Sequence, residues 1–414
     1  MDQGNTAFLL ISAALVLLMT PGLAFFYGGL VKAKSVISMM MLSFGAMGLI
    51  GVLWVIYGYA IAFPGAEGLV PPWSIDWSAI GLSSLLETPE GAAYPPLAFV
   101  GFQATFAIIT VALISGAIAD RAKFGAWMIF AGLWATIVYF PVASWVFNFG
   151  LAEDGSFAYG GWITYGMQEF FGVGALDFAG GTAVHINAGA AALALALVLG
   201  KRVGFSKGAH VPHNPPFVLL GAGLLWFGWF GFNAGSELAA DGTAAVAWIN
   251  TLAAPAAALL AWLVVEKIKD GKPTSVGAAS GAVAGLVAIT PACAFLTPIW
   301  AIVLGLIAGA VCAIAIELKF KWGFDDSLDV VGIHLVGGLI GTLYLGFFAN
   351  GTGLFYSGDL TQLMVQAIAA AAVLAFAIGF IIQKTMGFRV KDEDEIAGID
   401  TVVHGEDAYK LETV

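Results

Sequence analysis

Residues 298–318 read PIWAIVLGLIAGAVCAIAIEL, and Glu317 is the one charged residue among them. A helix of about 20 apolar residues spans the roughly 30 Å hydrocarbon core of a bilayer. The stretch therefore predicts a transmembrane helix. Similar stretches recur along the chain and give eleven predicted spans, numbered in chain order: 7–31, 37–62, 97–118, 125–149, 176–199, 216–236, 244–265, 276–294, 298–318, 328–349 and 361–384.

The composition excludes several other classes of protein. Of the 414 residues, 60% are hydrophobic and 10% are charged, whereas a soluble protein has roughly 25% charged residues. This difference excludes an ordinary soluble globule and a disordered chain. A net charge of −11 gives no attraction to phosphate backbones, so we expect no nucleic-acid partner. Cys293 and Cys312 both lie in apolar stretches, and we expect no disulfide scaffold, metal cluster or cofactor.

The positions of the basic residues predict the orientation. When the loops are assigned alternately to the two sides, all 16 Lys and Arg residues fall on one side. Basic residues mark the cytoplasmic side, so the N-terminus is predicted outside and the C-terminus in the cytoplasm, with the lipid bilayer as surroundings. Long apolar runs in an odd number do not suit a barrel of short strands. We therefore predict an all-α, multi-pass protein of the cell inner (cytoplasmic) membrane.

Eleven spans divide into five, five and one. Two halves with an odd number of spans insert with opposite orientations, which is the arrangement of an inverted repeat. Span 5 begins with Asp177 and contains His185, and span 10 contains Asp329 and His334 in a similar setting. We predict a transmembrane bundle over residues 1–385, made of halves of about 7–199 and 216–349 and a peripheral eleventh helix at 361–384. A charged and polar cytoplasmic tail follows at 386–414.

Two histidines lie deep in the predicted membrane. His185 is about nine residues into span 5 from the outer side, and His334 is about six residues into span 10 from the inner side. At 1.5 Å per residue both fall near the middle of the bilayer. Ionisable groups at this depth usually mark a pathway. The two rings could share a site and pass on a proton or a small polar molecule, or they could be unrelated core residues bonded to backbone carbonyls. Ligation of a haem is a further alternative.

Aromatic residues lie near the outer ends of two spans. Trp229, Phe232 and Ser236 share one face of span 6, and Phe102 and Phe106 share a face of span 3. Aromatic faces attract cations, and a hydroxyl accepts hydrogen bonds from them, so these residues could form a small vestibule for a cation. Packing without a ligand is the alternative. Asp177 is best interpreted as a helix N-cap rather than as a ligand.

The same residues carry a resemblance to a known family. The chain resembles bacterial ammonium transporters of the ammonium transporter/methylammonium permease/Rhesus family, and the match runs nearly from end to end. The motifs that carry it are Pro21–Gly29 (PGLAFFYGG), Gly101–Phe106 (GFQATF), Asp177–Asn187 (DFAGGTAVHIN), Gly228–Ser236 (GWFGFNAGS) and Asp329–His334 (DVVGIH).

The resemblance implies a fold, an activity and a set of partners. The fold is an eleven-helix inverted repeat that assembles as a homotrimer with one pore in each subunit. The activity is transport of ammonium or ammonia, with methylammonium as a second substrate, and not an enzymatic reaction. The tail is similar to the cytoplasmic tail that regulates these proteins. Many bacterial members are closed by a PII-type signal protein that docks on the inner face.

The resemblance also implies roles for individual residues. His185 and His334 match the twin-histidine pair of the pore, and Asp177 matches the acid near the outer site. Phe106 and Phe232 match the stacked phenyl gate. The residues expected at the outer ammonium site are Ser236, Phe106, Phe147 and Trp229. Phe147 stands where the family usually has Trp, counting from Pro141, with Trp145 and Trp162 nearby.

These assignments lead to a mechanistic hypothesis. Potassium resembles ammonium in charge and size, but ammonium can release a proton and cross an apolar pore as neutral ammonia. We therefore expect recruitment of the cation at the outer site, deprotonation, and conduction past the histidine pair. The first alternative is an ammonium sensor that signals through its cytoplasmic tail. A membrane enzyme or haem protein is the second alternative, and an absorption spectrum would distinguish it.

Overall fold

The computed structural model describes residues 1–65, 68–152, 157–207, 211–373 and 387–409. Within this part of the chain, nine helices are long and apolar enough to cross a membrane. They are Gln3–Leu30, Ala33–Ala62, Pro96–Ile118, Phe124–Phe147, Gly181–Leu199, Pro215–Glu237, Gly242–Lys269, Pro298–Trp322 and Val331–Phe348.

Two shorter apolar helices, Ser275–Ile289 and Thr361–Ala372, coincide with predicted spans 8 and 11. The nine longer helices coincide with the other predicted spans, which confirms the all-α membrane fold. Residues 374–384 of span 11 lie outside the described residues. The number of crossings and their orientation stay predictions. In the following description, the ends of the spans that carry Lys and Arg are called the inner ends.

Short elements connect the spans. A two-stranded antiparallel sheet of β1, Phe149–Leu151, and β2, Phe157–Gly160, lies beyond the outer end of span 4. The short helices are Trp77–Leu85, Trp162–Gly166, Met167–Phe171, Phe205–Lys207, Leu354–Ser357, Asp392–Ala397 and Asp400–His404.

Small residues allow the spans to approach closely. A Cβ atom on Gly221 of span 6 would lie 2.2 Å from the backbone nitrogen of Phe26 in span 1. A Cβ atom on Gly305 of span 9 would lie 2.1 Å from the carbonyl oxygen of Ala254 in span 7. Neither position has space for a side chain. In a bilayer, such close backbone packing replaces the hydrophobic driving force that helices have in water.

Spans 5 and 10 begin later than the sequence predicts. The span 5 helix starts at Gly181 rather than at residue 176, and the span 10 helix starts at Val331 rather than at 328. A left-handed backbone conformation precedes each helix, with φ of +120° at Gly180 and +64° at Asp329. Such a conformation cannot continue a right-handed helix. Both spans therefore enter the membrane through a short non-helical segment.

The two late-starting helices correspond closely. Each opens with a π-helical segment, Gly181–Ile186 or Val331–Leu335, that contains the histidine, and each continues as a 13-residue α-helix. In span 10, however, Asp326 rather than Asp329 corresponds to Asp177. Asp326 lies eight residues before its histidine, as Asp177 does. The sequence comparison with Asp329 was therefore out of register.

The hydrogen bonds explain this difference between the two aspartates. The Asp326 carboxylate accepts from Val330 N at 3.1 Å and from Val331 N at 2.7 Å, and so caps the first turn of span 10. Asp329 instead forms an ion pair with Lys319. One aspartate therefore caps the helix, and the other is a partner for a nearby cation.

Residues 387–409 of the tail pack against the inner ends of the spans. Val390 N donates to the carbonyl of Arg121, and Lys123 N donates to the carbonyl of Phe388, each at 2.9 Å. Phe388 and Asp400 are buried. This part of the tail is therefore bound to the bundle, and its role stays a prediction.

Candidate functional site

His185 and His334 lie side by side in the centre of the bundle. Their Nδ1 atoms are 3.2 Å apart and their rings are 5.3 Å apart, inclined by 25°. Both residues are buried. A hydrogen bond between two Nδ1 atoms needs one N–H donor and one lone-pair acceptor, so at least one ring is neutral. Nε2 of His185 is buried and has no hydrogen-bond partner among the described residues.

The histidine pair faces a narrow apolar cavity. Both rings line it, together with side chains from the first and second halves of the bundle. The apolar residues around them include Leu23, Phe26, Leu113, Val184, Leu225 and Val283. Apart from the imidazoles and the indole of Trp229, whose N–H donates to Thr290, the side chains that line this cavity in the described part of the chain are apolar. A hydrated ion would lose its water here without compensation.

Two phenyl rings cover the histidines. Phe106 of span 3 and Phe232 of span 6 are stacked with centroids 4.0 Å apart and planes inclined by 15°. The Phe232 ring lies 6.2 Å from the His185 ring, and the Trp229 ring stacks on His185 at 5.5 Å. The aromatic stack and the imidazoles thus form one continuous column. With the rings this close, a solute passes only if a phenyl ring moves.

More aromatic residues lie on the outer side of the phenyl rings. Phe102 is 4.8 Å from Phe106, and Phe147 meets Phe106 edge-on at 6.1 Å. Trp145 contacts Trp162 at 5.7 Å. Phe147, rather than either tryptophan, is therefore the span 4 aromatic residue that touches the phenyl stack.

Ser236 lies near the outer end of span 6, one helical turn beyond Phe232. Its hydroxyl donates to the carbonyl of Phe232 at 2.8 Å, and the residue is half-buried. Because the hydroxyl proton is used, its oxygen keeps lone pairs that can accept from an N–H group. Ser236, Phe106 and Phe147, called the outer group below, lie at or outside the phenyl stack. Trp229, which was also predicted for the outer site, instead stacks on His185 and lines the cavity beneath the stack.

Asp177 is a capping residue in this structure. Its Oδ1 accepts from Gly180 N at 2.8 Å and Gly181 N at 2.6 Å, and its Oδ2 accepts from Thr182 N at 2.8 Å and Ala183 N at 3.1 Å. The hydroxyl of Thr182 donates to Oδ2 as well. These donors surround the carboxylate and fix the turn that carries His185.

Comparisons with known proteins agree with this geometry. The sequence model of the Ammonium Transporter Family matches residues 7–409. The chain belongs to the ammonium transporter family. It is 52% identical to the ammonium transporter of Mycobacterium tuberculosis, over 99% of this chain and 90% of that protein. It is 44% identical to the ammonium transporter of Bacillus subtilis, over 99% of both chains.

Solved structures of the family have the same fold. Saccharomyces cerevisiae Mep2 matches with a TM-score of 0.85 and 33% identity, over 100% of this chain and 93% of that one. A protein described as a sensor Amt protein matches with a TM-score of 0.85 and 27% identity, over 96% and 98% of the two chains. The chain is thus a multi-pass membrane protein of a transporter family rather than an enzyme family, and in a bacterium such a protein lies in the inner membrane.

The sequence analysis missed several polar residues that support the site of this ammonium transporter. Thr290 of span 8 accepts a 2.8 Å hydrogen bond from the indole nitrogen of Trp229. Gln362 and Gln366 of span 11 bind the backbone before Asp177. Polar residues inside apolar spans were the available signal, but their partners come from distant parts of the chain.

A buried ion network lies at the inner ends of the spans. Arg202 binds Asp325 through Nε and Nη2, with the shortest contacts at 2.9 Å, and Asp120 at 3.2 Å. Burial by itself raises the pKa of Asp325, but the hydrogen bonds and charge of Arg202 outweigh it and hold this pKa below its ordinary value. Arg121, also buried, donates to the carbonyl of Asp325 at 2.6 Å. The network joins three inner loops next to span 10.

Proposed function

We propose that this protein recruits ammonium from outside, removes a proton, and conducts ammonia past His185 and His334 into the cytoplasm. The observation that carries the proposal is the 3.2 Å contact between the two Nδ1 atoms, directly beneath a closed phenyl stack and within an apolar cavity. Family membership supports ammonium as the substrate. The residue roles and the order of steps are our proposal.

Recruitment takes place at the outer group. The faces of Phe106 and Phe147 attract a cation, and the Ser236 oxygen accepts a hydrogen bond from one of its N–H groups. The negative charge of Asp177, which caps the turn that carries His185, favours a cation at this group as well. The site thus replaces part of the hydration shell of ammonium or methylammonium.

The phenyl gate and the histidines impose the selectivity. Movement of Phe106 or Phe232 opens a path that is too apolar for a dehydrated potassium ion. Ammonium enters after it transfers a proton to water at the outer group. Ammonia then exchanges hydrogen bonds with the imidazoles, since each neutral ring offers both a donor and an acceptor. The low polarity of the cavity favours the uncharged solute at every point.

Replacement of both histidines by alanine tests this function. We expect His185→Ala/His334→Ala protein in proteoliposomes to lose most methylammonium and ammonium uptake or to admit potassium. Leu260→Ala, at an exposed position of span 7 away from this cavity, is the matched control and keeps selective uptake. Undiminished and selective uptake by the double variant contradicts the proposal. Charge translocation on solid-supported membranes during an ammonium pulse shows whether the proton crosses too.

We further propose a homotrimer with one pore in each subunit and a PII-type signal protein as a partner at the inner face. The attachment of the tail to the inner ends of the spans supports this partner. Asp400 accepts from Ile37 N and Ser38 N, so a partner that moves the tail would change the inner surface. Mass measurement in mild detergent tests the trimer. Binding of a purified PII-type protein to proteoliposomes tests the partner.

A sensor is the second candidate function. The likeness to a protein described as a sensor Amt protein favours it, as does the attachment of the tail to the inner ends of the spans. In a sensor, substrate occupancy changes the tail while conduction is slow. Uptake near zero in proteoliposomes, combined with substrate-dependent protection of the tail from proteolysis, supports the sensor. Rapid uptake supports transport.

A further inference from the structure

The non-helical segment before span 5 needs partners for its backbone. Residues 174–178 lie at the entrance of a membrane span, where unpaired N–H and C=O groups are costly. Ala175 N donates to the carbonyl of Ile163, and Phe178 N donates to the carbonyl of Pro291, each at 3.1 Å. The carbonyl of Gly174 and both backbone groups of Leu176 are bound by side chains of span 11.

Gln366 makes a complete set of hydrogen bonds in this segment. Its Oε1 accepts from Leu176 N at 2.7 Å, and its Nε2 donates to the carbonyl of Leu176 at 2.8 Å. The second Nε2 proton goes to the carbonyl of Thr342 in span 10, at 3.1 Å. Gln362 donates to Gln366 Oε1 and to the carbonyl of Gly174, each at 3.2 Å. Both glutamines are buried.

These bonds act directly on the segment that positions Asp177. Leu176 is held by Gln366 from one side, and Phe178 is held by span 8 from the other. Asp177 lies between them and caps the turn that carries His185. Because Gln366 also binds Thr342, one amide ties the entrance of span 5 to the span that carries His334.

The corresponding inner segment is held by cations instead. Before span 10, Lys319 Nζ donates to the carbonyl of Asp326 at 2.8 Å, and Arg121 donates to the carbonyl of Asp325 at 2.6 Å. The two halves of the fold therefore meet the same backbone need with different chemistry. A cation near the outer segment would repel ammonium on arrival, whereas a neutral amide satisfies the backbone without this repulsion.

We propose that Gln366, assisted by Gln362, is a positioning residue that sets the affinity of the outer site by fixing Asp177. The uncharged hydrogen bonds of these two glutamines to Gly174 and Leu176 are called the clamp. The inference rests on the transport function proposed above. Span 11 is thus part of the machinery for recruiting the cation, although it lies at the periphery of the repeat. The clamp affects occupancy of the outer site more than passage between the histidines.

Variants at position 366 separate positioning from simple structural support. Gln366→Met keeps the length of the side chain and removes the clamp. We expect the KM for methylammonium to rise about fivefold or more, with Vmax per folded protein changed less than KM. Gln366→Lys keeps N–H donors but adds charge, and we expect a still higher KM. Met364→Leu, on the exposed side of the same helix, is the matched control and keeps the parent KM.

The possible results of this experiment test the inference separately from the proposed function. A parent protein that does not transport contradicts the proposed function. A parent that transports, together with a Gln366→Met variant whose KM stays within twofold of it, overturns the positioning role. A Gln366→Lys variant with the KM of Gln366→Met overturns the requirement for neutrality. If Gln366→Met does not fold, Gln362→Met, which removes fewer bonds, is judged by the same KM criterion.

Discussion

The indole nitrogen of Trp229 donates a 2.8 Å hydrogen bond to Oγ1 of Thr290. Both residues are buried, and Thr290 in turn donates to the carbonyl of Leu286 at 2.7 Å. This chain of bonds fixes the ring that stacks on His185. Span 8 thereby controls the orientation of an aromatic residue that belongs to span 6.

Thr290→Val tests this support. The substitution keeps the shape but leaves the indole N–H unpaired, which costs about 1–3 kcal/mol for a buried group. We expect a lower unfolding temperature in detergent and slower methylammonium uptake. Thr290→Ser keeps the hydroxyl and should retain most of both properties. Equal stability of the Val and Ser variants would contradict the importance of the bond.

Phe147 offers a test of the outer site. It touches Phe106 edge-on, and an indole has a stronger cation-binding face than a phenyl ring. Phe147→Trp is expected to lower the KM for methylammonium severalfold, and Phe147→Leu to raise it, in line with roughly 0.5–2 kcal/mol for a cation–π contact. Trp145→Phe, which changes a ring that contacts Trp162, serves as the control. A KM that is the same in the Trp and Leu variants places the cation elsewhere.

Asp177 and Asp326 allow a comparison across the repeat. Each caps the first turn of a helix that carries a histidine, so Asp177→Asn and Asp326→Asn should each destabilise the protein by about 0.5–2 kcal/mol. Only Asp177 lies on the outer side of the histidines in the predicted orientation. We expect Asp177→Asn alone to raise the KM for external methylammonium, as measured from initial rates in oriented vesicles. A matching rise in both variants assigns the effect to capping.

The hydrophobic pattern predicts the spans but not where two of them become helical. The length of the apolar runs locates the helices, and the depth of His185 and His334 follows from the span boundaries. The late starts at Gly181 and Val331 depend on a positive φ at the preceding residues and on carboxylate caps. Which aspartate caps span 10 is decided by tertiary contacts. Asp325, Asp326 and Asp329 all lie close together in sequence, so the sequence alone does not distinguish them.

The aromatic residues of the site were predicted more fully than the polar residues that hold them in place. Helical spacing brings Trp229, Phe232 and Ser236 to one face, which a single sequence shows. The hydrogen bonds from Thr290 and Gln366 join spans that are far apart along the chain. Spacing within one helix carries no information about such partners, so both residues were visible only as polar groups in apolar surroundings.

The inner ion network predicts how stability depends on pH. Asp325 is hydrogen bonded by Arg202, and its pKa in the folded protein lies below the ordinary value despite the opposing effect of burial. For an acid with a lowered folded pKa, the stabilisation is complete above the unfolded pKa, about 3.9. It is lost as the pH falls through the folded pKa. The parent should therefore lose thermal stability in acid below about pH 4.

Asp325→Asn isolates this contribution. The amide cannot carry the charge, so the variant should be less stable than the parent at neutral pH, and the difference should shrink as the pH falls below about 4. Unfolding temperatures in detergent across this pH range measure it. Glu90→Gln, in an exposed outer loop, is the control and should follow the parent at every pH. A difference that stays constant down to the acid limit shows that Asp325 contributes through shape and not through charge.

The tail attachment gives the last prediction. Asp400 is buried and accepts from Ile37 N at 3.1 Å and from Ser38 N at 2.7 Å, at the start of span 2. Asp400→Ala removes both acceptors and leaves the buried N–H of Ser38 and the partly buried N–H of Ile37 unpaired, which costs about 1–3 kcal/mol for a buried group. We expect faster proteolysis of the tail, because a local attachment of this size controls its opening. Asp407→Ala, an exposed residue in the same tail, should leave proteolysis unchanged. Unaltered cleavage in Asp400→Ala would mean that the remaining backbone bonds at Val390 and Lys123 hold the tail.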